Sequence, residues 1–158
     1  MNVTPVSRFL RFDGAARDRS QIDAWFDARH PELAAIAQAW FAQMRHCGED
    51  VTELLHDGHP TACVGDAAFG YVNVFRSHVN IGFFHGASLA DPARLLLGTG
   101  RFMRHVKASP GCLPDGEPLK ALVYAAYADI KAKLAAEPSA AGTSARDFPF
   151  RIDGPLTR

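Results

Sequence analysis

The sequence predicts an α+β domain: a small, mostly antiparallel sheet with helices packed on one face, in the order α-α-β-β-β-α-β-α. Three observations predict it. Two runs rich in β-branched and aromatic residues, 69–75 and 78–84, flank the dipeptide Arg76-Ser77, as in a hairpin. Before them, apolar residues recur with the i, i+3, i+4 rhythm of a helix, and a longer stripe of that rhythm follows near the C-terminal end.

The elements follow in order. Ser20 opens an S-x-x-D box that can cap a short helix, with Ile22, Trp25 and Phe26 on its apolar side. His30 precedes a proline and so avoids the α region, while Pro31 suits the first position of a second helix. Leu33, Ile36, Ala37, Trp40, Phe41 and Met44 form the buried stripe of that helix, and Gly48 is its expected stop. A short strand over 62–65 ends in a Gly65-Asp66 turn.

In the hairpin that follows, an Arg76-Ser77 turn sets Val74 opposite Val79, Asn73 opposite Asn80 and Val72 opposite Ile81. Side chains alternate along a strand. Val72, Val74, Val79, Ile81 and Phe83 therefore share the face turned to the helices, and Tyr71, Asn73, Phe75, His78, Asn80 and Phe84 share the other, expected to be open. A one-residue slip would reverse every assignment.

Asp91 as a cap, Pro92 as a first residue and Gly98 as a stop predict a short helix packed through residues 95–97. A strand is expected over 104–108, then a proline- and glycine-rich loop over 110–118. The last helix begins near Pro118, with Leu119, Leu122, Val123, Ala126, Tyr127, Ile130 and Leu134 lining one side. Residues 1–19 read as an N-terminal extension, 20–135 as the single domain, and 136–158 as a tail. The alternation of Phe148, Phe150 and Ile152 points to that tail docking on the domain or on a neighbouring subunit of a homo-oligomer.

Composition narrows the classes. The chain has 158 residues, enough for one domain with its own core, and 17 Lys+Arg balance 17 Asp+Glu. A chain with no net charge lacks the bulk field of a general nucleic-acid binder. Its three cysteines form no CxxC pair, so neither a zinc ribbon nor a thioredoxin-like motif is present. No signal-peptide h-region or membrane-length apolar run occurs, and a soluble, cytoplasmic setting is expected. No nucleophile elbow, H-E-x-x-H or dinucleotide fingerprint marks an enzyme.

Three groups of residues carry candidate chemistry. His56, Asp57, His59 and Cys63 are metal-ligand types around a turn, and would hold iron or zinc weakly, no cofactor being required. Gly98, Thr99, Gly100, Arg101, Arg104, His105 and Lys107 combine glycine-exposed N–H groups with cations, a pattern suited to an anion or small metabolite. Tyr71, Asn73, Phe75, His78 and Asn80 put amides among rings, as on a surface that meets a small molecule or a protein partner. Acidic residues such as Asp23, Asp27, Glu49 and Glu53, the last two one turn apart if helical, are interspersed with arginines and form no acidic ridge.

The segments His59-Pro60-Thr61, Tyr71-Val72-Asn73-Val74-Phe75, His78-Val79-Asn80-Ile81-Gly82-Phe83-Phe84, Asp91-Pro92 and Gly98-Thr99-Gly100-Arg101-Phe102-Met103-Arg104-His105-Val106-Lys107 together resemble the YdhG-like family, domain of unknown function 1801. With the flanking helices the resemblance covers most of 20–135. It implies the same α+β fold and a relation to frataxin-like proteins. Some members are described as intracellular iron chaperones, so a non-catalytic, iron-handling role is what it implies here. The family's aromatic W-G-x-P segment is replaced by His56-Asp57-Gly58-His59-Pro60, and no catalytic residue is carried over.

Overall fold

The structure is a computed structural model, and the residues it describes are 10–12, 19–137 and 152. Three α-helices and five strands run in the order α1 (Ser20–Asp27), α2 (Pro31–Arg45), β1 (Val51–His56), β2 (His59–Val64), β3 (Ala67–Val74), β4 (Val79–Phe83), β5 (Arg104–Ala108) and α3 (Gly116–Ala136). The strands form one antiparallel sheet in sequence order, a meander. No helix of the described residues is long and apolar enough to cross a membrane.

The helices follow from their boundary residues. His30 is extended (φ −56°, ψ 127°) and Pro31 is the first residue of α2, as the missing proline N–H allows. Ser20 is already inside α1, whose cap position is Arg19 with no side-chain cap, so the capping box does not form. Leu33, Ala37, Phe41 and Met44 of α2 and Leu119, Val123, Ala126 and Ile130 of α3 are buried against one face of the sheet. That face is supplied by Val64, Phe69, Val72, Val74, Val79, Ile81, Phe83 and Val106. The β3–β4 register pairs Val72 with Ile81, Asn73 with Asn80 and Val74 with Val79, as their residue types require.

Two elements differ from the sequence reading. The first is β1, which lies where Glu49 and Glu53 would have shared a helix turn. Asp57 (φ 51°) and Gly58 (φ 78°) are both left-handed, the geometry of a two-residue primed turn, and they fold β1 onto β2. Glu53 therefore points at α2, where its carboxylate accepts two bonds from Arg45, at 2.8 and 2.6 Å. The second is the segment 91–98, which is not a helix. Asp91 caps no helix: its carboxylate accepts the N–H groups of Leu95 (2.9 Å) and Leu96 (2.8 Å), beyond the reach of a helix cap. Arg94 then turns left-handed (φ 55°), and Leu97 exchanges two backbone bonds with His105 along the outer edge of β5. The short helical turn here is the 3-10 turn Gly86–Ser88.

Within β3 one extra residue interrupts the ladder. Ala62 pairs with Gly70 and Cys63 with Ala68, which leaves Phe69 as a bulge. Phe69 and Val72 both reach the helix side as a result, and Gly70 leaves room for Met44.

Candidate functional site

The second face of the sheet is closed, contrary to the sequence expectation. Tyr71, Asn73, Asn80 and Phe84 are buried there, and Asn73 has no exposed surface at all. The cover comes from residues far away in sequence. Leu10 and Ile152 join Cys63, Ala68, Tyr71 and Phe84 in a smaller apolar cluster, with Phe12, Leu54, Phe102 and Met103 at its margin. Residues 10–12 are held by backbone bonds at the β2–β3 turn, from Ala68 to Leu10 (2.9 Å) and from Phe12 to Asp66 (2.8 Å). The Ile152 N–H donates to Asp57 (3.2 Å), and the rest of the alternation through Phe148 and Phe150 lies outside the described residues. Phe75 and His78, stacked with ring centroids 4.4 Å apart at the hairpin end, stay half-exposed.

On the same face, beside this cluster, lies a polar row. Asn73 pairs with Asn80 and Asn80 with Lys107, so three neighbouring strands place these side chains side by side. Thr61 pairs with Tyr71, and two residues further along both strands His59 comes opposite Asn73, within hydrogen-bonding reach of it. His59, Asn73, Asn80 and Lys107 thus cross four strands in one line, from a buried histidine to an exposed ammonium. A parallel line of Thr61, Tyr71, Gly82 and His105 lies beside it. Gly82 is required there, because the Tyr71 ring lies where a Cβ would stand. Tyr71 in turn packs on Phe84, with centroids 5.2 Å apart.

The row is costly as it stands. His59 Nδ1 and Asn80 Oδ1 are buried and have no hydrogen-bond partner among the described residues. A buried polar atom left unmatched costs about 1–3 kcal/mol, so the two together are a noticeable fraction of a domain's stability.

Three histidines on this face are held towards neutrality. Burial lowers the His59 pKa, opposed by Asp57 and Asn73 and reinforced by Arg29 and His56. Burial also lowers those of His78 and His105, and the Lys107 charge adds to both. Neutral imidazoles offer one donor and one acceptor each, which suits a hydrogen-bonding ligand.

The residues expected to bind metal do not gather. His56 and Asp57 touch (3.2 Å) and His59 faces His56 across the hairpin. Cys63 lies four residues further along β2, about 13 Å at a strand's rise. Its thiol is buried and its pKa is raised, first by burial and then by Asp66. Among the described residues no group of three His, Cys, Asp or Glu side chains is placed to hold a metal ion.

The expected anion segment also divides. Arg104 turns back on its own loop, donating to the carbonyls of Gly100 and Met103. His105 and Lys107 lie on the sheet face just described. Gly98 (φ 119°) makes the bend from the Leu97 bridge into the loop, and Thr99, Gly100 and Arg101 are exposed. The loop therefore does not present its cations together.

Two further features went unread in the sequence. Asp57-Gly58 between apolar runs is a hairpin signal that would have revealed β1 and placed His59 on the sheet. The partners Arg45 and Glu53, eight residues apart, carry no comparable local signal. No protein-family model matches the chain, and neither a curated protein nor a solved structure matches it.

Proposed function

We propose that this chain is a binding protein for a small, neutral, hydrogen-bonding organic molecule, held on the second sheet face by His59, Asn73 and Asn80. The observation that carries the reading is the pair of unmatched buried atoms, His59 Nδ1 and Asn80 Oδ1, on one row of one sheet face. Protein interiors leave few polar groups unsatisfied, and those that persist call for a partner. The two residues lie two strand spacings apart, about 10 Å. A ligand that offers a donor to Asn80 and a matching group to His59 would satisfy both. Lys107, exposed at the end of the row, favours an electron-rich group at the ligand's outer end.

Burial of Tyr71, Asn73 and Asn80 argues against a flat protein-docking surface; of the five residues expected to form one, Phe75 and His78 stay accessible. Iron handling, implied by the family resemblance, has no gathered ligand set among the described residues to support it. A thermal-shift screen of small amides, ureas and polyols tests the reading. A ligand at 100 times its Kd adds about 2.7 kcal/mol to stability. The expected hits stabilise the natural protein and leave Asn80→Leu unmoved; equal shifts in both would overturn the site.

A further inference from the structure

A cavity of about 320 Å3 opens between the Gly86–Ser88 turn, the loop carrying Arg101 and Phe102, and α3. His85, Ala87, Ser88, Arg101, Phe102 and Lys133 line it. That volume is at the low end of small-molecule sites, too small for a folded partner or a nucleic acid. We propose that it binds the oxyanion of a small phosphate ester, with Arg101 and Lys133 as the anion-holding groups.

The donors around the cavity differ in how far they are already spent. Lys133 is engaged with Asp129 and lies 3.5 Å from the Ser88 hydroxyl, so one of its three N–H groups remains. The Ser88 hydroxyl donates to the His85 carbonyl (2.8 Å) and fixes the turn. Arg101 makes no hydrogen bond or ion pair among the described residues; its guanidinium only lies over the Phe102 ring, 5.0 Å from the centroid. A guanidinium fork with all its donors open, seated on a ring, is suited to two oxygens of one phosphate. Arg101 and Lys133 against Asp129 leave one positive charge facing the cavity. Phe102 and Ala87 give the ester's organic body an apolar wall.

The walls are fixed before any ligand arrives. Gly86 sits so close to Arg104 that a Cβ would collide with the Arg104 side chain and backbone, and Ala87 donates its N–H to the Phe102 carbonyl (2.9 Å). The turn and the loop are thereby clamped together. Preorganised donors lose little freedom on binding.

This site is separate from the polar row, and its test does not depend on that reading. Inorganic phosphate and phenyl phosphate are titrated calorimetrically into the natural protein and into Arg101→Gln, Lys133→Gln and, as a charge-matched control on the exposed side of α3, Lys120→Gln. Saturable binding is expected, tighter for phenyl phosphate, weakened at least tenfold by either of the first two changes and unaltered by the control. Arg101 is exposed, so its variant should fold; circular dichroism checks this. Non-saturable binding, an Arg101→Gln affinity equal to the natural one, or an equal loss in Lys120→Gln would each overturn the proposal.

Discussion

Replacing Asn80 by leucine should make the ligand-free protein more stable. The Asn80 side chain is 9% exposed, its Oδ1 has no partner among the described residues, and Asn73 and Lys107 flank it on the neighbouring strands. Leucine has the same number of side-chain heavy atoms and the same branched shape, and the β4 backbone pairing does not involve the side chain. The change removes an unmatched acceptor, worth about 1–3 kcal/mol, and forfeits at most one ordinary hydrogen bond from the amide nitrogen, about 1 kcal/mol. The net gain is therefore about 1 kcal/mol, or a rise in Tm of about 3 °C for a domain of this size. Urea denaturation checks it, with the midpoint moving up at an unchanged slope. A fall in midpoint would refute the reasoning, because Oδ1 would then have to be satisfied in the free protein. A gain in stability at the expense of binding is the pattern expected of a site residue.

Three other outcomes follow from the fold. The His85 pKa is depressed from 6.5 to about 4, first by burial and then by Lys133. The unfolded chain therefore takes up a proton that the folded chain refuses. Stability is intact above about pH 6.5, falls as the pH drops, and levels off below about pH 4, with about 3 kcal/mol at stake; His85→Leu should flatten that slope in pH-dependent melting. Glu53→Ala should cost about 3 kcal/mol in denaturant, since among the described residues it leaves the Arg45 guanidinium with Asp23, 3.7 Å away, as its one ion-pair partner. Gly82→Ala should cost about 1–3 kcal/mol by overpacking against Tyr71, and calorimetric Tm values read that loss.

The parts of this fold that were legible in the sequence are those set by neighbours in the chain. Pro31 after an extended His30 marks the start of α2, and the Val–Asn alternation of 72–74 and 79–81 specifies the β3–β4 register. The segment 91–98 shows the limit of such signals. The Asp91 carboxylate binds N–H groups four and five residues on without starting a helix, and the left-handed Arg94 has no sequence mark. The second sheet face was misjudged for a different reason. Alternation separates amides from valines, but whether Tyr71 and Phe84 beside the amides meet water depends on Leu10 and Ile152, which arrive from opposite ends of the chain. The same non-locality hid the polar row, since His59 and Lys107 become neighbours of the asparagines only through pairings on both sides of the hairpin.

Ligand binding at this face requires that the buried amides and the imidazole accept a partner. Side-chain NMR of Asn73, Asn80 and His59 during titration with the strongest stabilising compound reads this directly. The Asn80 amide and His59 ring signals are expected to shift in step with a single saturation curve. A compound that saturates the protein while those signals stay fixed would contradict binding at this face.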